Sequence, residues 1–183
     1  MKTRLAQGIG AVSATRFYRQ TTASVLRRLG CDPRWQTMLS LASDHAIDDG
    51  GLSPLTLPRI AQGEGDIGER MQRIIDNAPP GPVVIVGSDI PEIRAEYIAA
   101  AFHALGQADV VFGPAEDGGY WLVGLRRRPR AVDIFGDVRW SSEHALADTV
   151  ANVVSAGLSY DVVARLSDVD TVEDFNRWQR HKK

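Results

Sequence analysis

Carboxylates placed just beyond the ends of apolar strand-like runs can hold a divalent cation, and this sequence carries them in two places. Asp89 follows the run Pro82-Val83-Val84-Ile85-Val86-Gly87, inside Gly87-Ser88-Asp89-Ile90-Pro91, and Asp168 and Asp170 follow a segment that ends at Leu166. In open α/β sheets, ligands bind beyond the carboxyl ends of the strands. Oxygen donors of this kind suit Mg²⁺ or Mn²⁺, ions that usually take one or two carboxylates plus substrate phosphates. A local reading competes: Asp89 caps the helix that follows, and Asp168 closes a turn. Spacing alone leaves both open.

A third acidic segment, Glu116-Asp117-Gly118-Gly119-Tyr120, adds two glycines that permit positive φ or close backbone approach. A plain hairpin turn explains the same string, because Asp-Gly is the strongest short hairpin signal. The four histidines, His45, His103, His144 and His181, have no metal-ligand spacing and read as surface or helix residues. No G-x-S-x-G and no Walker-type G-x-x-x-x-G-K is present, which removes nucleophilic hydrolases of that type and P-loop NTPases.

The elements that would position these residues follow from periodicity. Ser13 can cap a helix with apolar positions at Ala14, Phe17, Tyr18, Val25 and Leu29, stopped at Gly30. Thr37 to Ala42 reads as a short strand, Asp48 to Pro54 as a loop, and Leu55 to Ile60 as an edge strand interrupted by Pro58. A helix is expected over Ile67 to Asn77. The continuous apolar run from Pro82 to Gly87 predicts a strand buried on both faces of a parallel sheet. With Pro91 at its start, a helix should run from about Glu92 to Leu105. Further strands are expected at Asp109 to Gly113, Gly119 to Leu125 and Ser159 to Leu166. A helix over Ser142 to Ala156 precedes the last of these, and Thr171-Val172-Glu173-Asp174 has the capping-box spacing that opens a final helix. Alternating strands and helices predict one α/β domain over residues 1–183, a Rossmann-like, doubly wound and mostly parallel sheet.

Composition narrows the function classes. The formal net charge of −2 argues against broad nucleic-acid or membrane-surface binding. The short basic runs, Arg126 to Arg130 and Arg177 to Lys183, read as solvated surface, the second favourable at a helix C-terminus. A single cysteine, Cys31, rules out an internal disulfide and suits a reducing cytoplasm. No apolar run approaches the ~18 residues of a membrane span, and the N-terminus has no apolar core of a signal peptide.

Five strings occurring in order carry a resemblance that spans essentially the whole chain. They are Lys2-Thr3-Arg4-Leu5, Gly65-Asp66-Ile67-Gly68-Glu69-Arg70-Met71, Gly87-Ser88-Asp89-Ile90-Pro91, Gly113-Pro114-Ala115-Glu116-Asp117-Gly118-Gly119-Tyr120 and Asp168-Val169-Asp170-Thr171-Val172-Glu173-Asp174. Together they resemble the glycosyltransferase-A-like "radical-SAM/selenodomain-associated transferase 1" family, and the layout is more distantly similar to molybdenum-cofactor and phospholactate nucleotidyltransferases. The resemblance implies a nucleotide-diphospho-sugar transferase fold and a Mg²⁺ or Mn²⁺ ion held by Asp89 with Asp170 or Asp168. It also implies that Lys2, Thr3 and Arg4 contact nucleotide phosphates beside Gly87 and Ser88. Asp117, Gly118, Gly119 and Tyr120 would line the acceptor side, with Asp89, Asp117 and Asp170 as the catalytic set. Family members usually open with an apolar strand and a Lys/Pro/Gly-rich loop before K-T-R-L, whereas Met1 here directly precedes Lys2. The first strand is therefore expected to be missing, through either an upstream start or a truncation that borrows a strand from a partner.

The resulting expectation is a cytoplasmic, metal-dependent transferase using a nucleoside triphosphate or a nucleotide sugar on a small-molecule acceptor. Nucleotidyl transfer is slightly favoured, because K-T-R-L suits a triphosphate. A homo-oligomer is compatible with the sequence. The alternative is a truncated, non-catalytic nucleotide-binding or oligomerising remnant.

Overall fold

The structure is a computed structural model that describes residues 3–42, 56–128 and 131–181, with the backbone alone at Thr3 and His181. Two helices come first, α1 (Thr3–Ile9) and α2 (Ala11–Leu29), separated at Gly10, whose φ of 84° breaks the helical path. Ser13, expected as a cap, lies inside α2 instead: the helix begins at Ala11, three residues earlier than foreseen, and Gly10 takes the N-cap position without a side-chain bond. Gly30 ends α2 as anticipated.

Strands β1 (Leu39–Leu41) and β2 (Arg59–Ala61) form a separate parallel pair, both shorter than their sequence windows. The Asp48 to Pro54 loop lies outside the described residues. Helix α3 (Ile67–Asn77) matches its expected bounds, fixed by a capping box in which the Asp66 carboxylate accepts from the Glu69 N–H and Glu69 reaches back to the Asp66 N–H. Then come β3 (Val83–Val86), α4 (Ala95–Ala104), β4 (Val110–Pro114), β5 (Tyr120–Leu125), α5 (Ala145–Ser155), β6 (Tyr160–Val162) and α6 (Val172–His181).

The α/β class holds, and the larger sheet has the order β3-β5-β4-β6. It is mixed, because β5 returns through a tight hairpin from β4 and so runs antiparallel to both β4 and β3, while β4 and β6 are parallel. Alternation along β4 sends Val110 and Phe112 to one face and Val111 to the other. On one side Val111 and Leu122 meet Val25 and Leu29 of α2 with Ile98, Ala101 and Leu105 from α4 and its end. On the opposite side Val110, Phe112, Val123 and Leu125 meet Met71 and Ile75 of α3 and Val153 of α5. Helices thus cover both faces of the sheet. A third cluster joins Leu5, Ala14, Phe17 and Val169, with Phe175 and Trp178 of α6 packed against it.

The run at 83–86 departs from expectation. All four residues are half-buried rather than enclosed, whereas all five of β4 are buried. Among the described residues β5 is the sheet neighbour of β3, and nothing pairs along its second edge. Helix α4 also starts later than foreseen, because Pro91 sits in a turn and Arg94 takes the N-cap.

Two cations of the basic run after β5, Arg126 and Arg127, are structural rather than merely solvated, whereas Arg128 is exposed. Arg126 pairs with Asp109 at the foot of the sheet, and Arg127 donates to the carbonyls of Ala78, Pro79 and Gly81, satisfying acceptors at the end of α3. No helix among the described residues is long and apolar enough to cross a membrane.

The contrast between centre and edge gives a stability prediction. Phe112→Ala, at a fully enclosed position, should cost about 3–5 kcal/mol, and Ile85→Ala on the open edge strand about 2 kcal/mol or less. Urea unfolding of both variants checks the order; equal losses would show that β3 is as enclosed as β4.

Candidate functional site

The acidic segments follow the carboxyl ends of β3 and β4, which point to the same end of the sheet with β5 between them, and three helices contact them there. Gly87 continues β3 by donating its N–H to the Trp121 carbonyl at 2.9 Å, and Ser88 and Asp89 follow, both half-buried. A Cβ at Gly87 would stand 3.2 Å from Asp89 Oδ1, so the missing side chain leaves space beside that carboxylate. Ala115 and Leu166 pair as an isolated parallel bridge, which carries the segment with Asp168 and Asp170 to the same edge. The Trp121 indole N–H donates to the Ala164 carbonyl at 2.9 Å and ties that segment to β5.

Helix α1 contributes Arg4, whose guanidinium lies 3.8 Å from Asp170 Oδ2; the side chains are 75% and 36% exposed. Its neighbour Leu5 is fully buried, which anchors the helix and leaves Arg4 facing outward. Lys2 lies outside the described residues, and Thr3 is placed only as the first residue of α1. The capping box expected at Thr171 is present: Asp174 Oδ2 accepts from the Thr171 N–H at 2.9 Å and hydroxyl at 2.7 Å, and the Asp174 N–H donates back at 3.2 Å. Burial pushes the Asp174 carboxyl up, but hydrogen bonds from Thr171 and the Asp170 N–H outweigh it and hold it below the usual carboxylate range.

Glu116 to Gly119 form the turn of the β4–β5 hairpin, so the hairpin reading of that string is correct as local structure. Asp117 Oδ1 accepts from the Gly119 N–H at 2.9 Å. The close-approach reading also holds. Gly118 has φ +86°, and a Cβ there would run into the Glu143 carbonyl and lie 2.6 Å from its Cα. The Leu146 N–H donates to the Gly118 carbonyl, which seats the start of α5 on this turn. Glu116 and Asp117 are exposed, and Arg177 of α6 reaches Glu116 at 3.0 Å. Tyr120 turns inward: its ring packs near Phe112 and Trp140, its hydroxyl lies 3.5 Å from Thr149 Oγ1, and burial pushes its pKa up.

Two residues of the site were not legible as such. Tyr18 and Thr22 of α2 reach the Ser88 side chain and carbonyl. The signal available in the sequence was two hydroxyl side chains four residues apart on the face of α2 that buries Val25 and Leu29.

Among the described residues no group of three or more His, Cys, Asp or Glu could enclose a metal ion. The carboxylates fit the open kind of site instead, in which one or two acidic oxygens hold Mg²⁺ or Mn²⁺ and substrate phosphates complete the shell. Arg4 beside Asp170 suits such a phosphate, since guanidinium donors match its oxygens.

Comparisons with known proteins show the family and the fold. Residues 25–142, more than half of the chain, match the model of the family described as "Uncharacterized protein conserved in bacteria (DUF2064)", and the chain belongs to that family. A crystal structure of a "putative nucleotide-diphospho-sugar transferase" from Desulfovibrio desulfuricans G20 superposes with a TM-score of 0.92 at 31% identity, covering 100% of this chain and 81% of that one. The homologue of Mycobacterium tuberculosis Rv0371c from Mycobacterium sp. strain JC1 shares the fold at TM-score 0.55 and 18% identity, covering 88% of this chain and 82% of that one. Rv0371c of M. tuberculosis H37Rv does so at 0.54 and 15%, covering 89% and 84%. No curated protein matches the sequence.

Two predictions concern the frame of the turn. Gly118→Ala should destabilise by about 1–3 kcal/mol through its positive φ and the Glu143 backbone, measured by chemical denaturation. Loss of less than about 0.5 kcal/mol would mean the turn relaxes freely. The loop leading to Glu143 is pinned by Arg139, which donates to Asp148 from its backbone N–H, Nε and Nη2 at 2.7–3.0 Å. The Arg139 side-chain hydrogen bonds, then its backbone one, hold the Asp148 carboxyl down to about 2. The unfolded value is about 3.9, so this stabilisation is complete above about pH 4 and disappears as pH falls toward about 2. Asp148→Asn should therefore flatten the acid-unfolding limb in that window when followed by circular dichroism.

Proposed function

We propose that this member of the family is a metal-dependent transferase that uses a nucleoside triphosphate or a nucleotide sugar to modify a small-molecule acceptor. The observation that carries the reading is the meeting of Arg4 with Asp170 beyond the strand ends, at the edge that also bears Asp89. Cation and carboxylate come from distant parts of the sequence, and both side chains are accessible, at 75% and 36% exposure. The 31% identical relative described as a "putative nucleotide-diphospho-sugar transferase" supports the same class.

In this reading Asp89, with Asp170 or Asp168, holds Mg²⁺ or Mn²⁺ against the phosphates. The ion supplies charge neutralisation at the leaving phosphate. Arg4 and Lys2 donate to phosphate oxygens, adding positive charge where the transition state accumulates negative charge. Gly87 and Ser88 let the nucleotide approach the backbone. The turn at Asp117 to Gly119, exposed at Asp117, flanks the acceptor in this reading, with Asp117 oriented by its bond from the Gly119 N–H. Tyr120 contributes from beneath by packing the turn rather than by touching a ligand. The triphosphate is slightly favoured, because Lys-Thr-Arg offers two cations to one phosphate chain. The second reading, a non-catalytic nucleotide-binding module, draws on the edge of β3 that stays unpaired among the described residues.

A thermal-shift panel of nucleoside triphosphates and nucleotide sugars, with and without Mg²⁺ or Mn²⁺, tests the proposal. A true ligand at about 100 times its dissociation constant should add about 2.7 kcal/mol of apparent stability, and only with metal. Asp89→Ala should abolish that metal-dependent shift while melting cooperatively near the native temperature. A shift that survives in Asp89→Ala would remove Asp89 from the site, and turnover absent from a protein that binds nucleotide would favour the second reading.

A further inference from the structure

Helix α2 buries Val25 and Leu29 against the sheet, but part of its surface is spent on the segment that bears Asp89. The Tyr18 hydroxyl lies 3.3 Å from Ser88 Oγ, and the Thr22 hydroxyl donates to the Ser88 carbonyl at 3.4 Å. Further along the helix, Arg28 Nη2 donates to the Pro91 carbonyl at 2.8 Å. Residues 18 and 22 lie one helical turn apart and so share a face. Phe17, adjacent to Tyr18, is buried in the cluster that contains Val169, the residue between Asp168 and Asp170. A single stretch of α2 therefore touches the segment before Asp89 and packs with the segment bearing Asp168 and Asp170.

The two attachments differ in kind. Packing around Phe17 and Val169 is apolar and non-directional, whereas the hydroxyl contacts to Ser88 fix direction. Both are longer than the roughly 2.5–3.0 Å of a strong O–H···O bond, so they contribute little to global stability. Their effect falls on where the backbone at Ser88 sits, and hence on where the next carboxylate sits.

We propose that Tyr18 and Thr22 are positioning residues that fix the backbone at Ser88 and so aim Asp89, setting the affinity with which it, together with Asp168 or Asp170, takes a divalent cation. This rests on the reading of Asp89 as a metal ligand. Groups that orient metal ligands typically alter affinity 10–100-fold when removed.

Mn²⁺ alone is the probe, its binding to the full chain followed by electron paramagnetic resonance, with amide exchange over residues 87–90 as a second readout. Tyr18→Phe combined with Thr22→Val keeps the packed volume and should weaken Mn²⁺ binding about tenfold or more. It should also speed exchange at Ser88 and Asp89 while leaving exchange in β4 unchanged. Thr22→Ser, which retains the hydroxyl, should stay near native. Native Mn²⁺ affinity in the double variant, with affinity lost in Asp89→Ala, overturns the positioning role and spares the reading of Asp89. Native affinity in Asp89→Ala overturns that reading and the positioning role with it. Should the double variant melt early as a whole, Tyr18→Phe alone decides by the same two readouts, since it removes a single exposed-side hydroxyl and no packed carbon.

Discussion

The molecule depends on one pairing, that of β4 with β5. Every residue of β4 is buried, and five of the six in β5 are. Because side chains alternate across a strand, this hairpin supplies both apolar cores at once: Val111 and Leu122 toward α2 and α4, Phe112 and Val123 toward α3 and α5. The backbone groups of two central strands would be costly to bury unpaired, so the ladder and both cores stand or fall together. Everything at the functional edge is placed by reference to this hairpin. Its turn is the Glu116–Gly119 segment. Its β5 strand receives Gly87 through the Trp121 carbonyl, and its Trp121 indole holds the chain at Ala164.

Electrostatically the edge is a balance rather than a cage. Asp89, Asp168 and Asp170 are half-exposed, and Arg4 and Arg177 lie against Asp170 and Glu116. Exposed ion pairs of this kind are worth little in water, about 0–1 kcal/mol. They can exchange partners at small cost, which is what a site must do when an anionic ligand and its cation arrive together. Asp174 behaves otherwise: it is committed to Thr171 and caps α6, a structural use of a carboxylate within four residues of one assigned to binding.

Local chemistry was legible wherever a short-range rule acts alone. The capping box at Thr171–Asp174, the stop at Gly30 and the bounds of α3 all follow from residues close in sequence, and the Asp66–Glu69 capping box that fixes α3 is of the same local kind. The failures share a cause, which is that tertiary pairing decides them. The apolar run at 83–86 looks the same whether a strand has one neighbour or two, so its half-exposure could not be read from composition. The Asp-Gly string left a hairpin as only one of two readings, and β5 runs antiparallel because a five-residue connection cannot make a crossover. Arg127 looked like surface charge until the carbonyls ending α3 came within its reach. The acidic positions were visible as residues at strand ends, but Tyr18 and Thr22 were hidden because a hydroxyl on a helix face carries no sign of what it will meet.

The junction of α1 with α6 has a kinetic consequence. Arg4 and Asp170 are separated by most of the sequence, and Leu5 meets Val169 only once α1, α2 and α6 have docked. Contacts of such long sequence separation close large loops and tend to form late, after the central hairpin and its flanking helices have collapsed. The edge where Arg4 meets Asp170 would then be the last part of the molecule to assemble and the first to open in local fluctuations. A ligand bridging that edge would act as a clasp, slowing the peeling of the outer helices and protecting the chain from proteases that cleave the opened form.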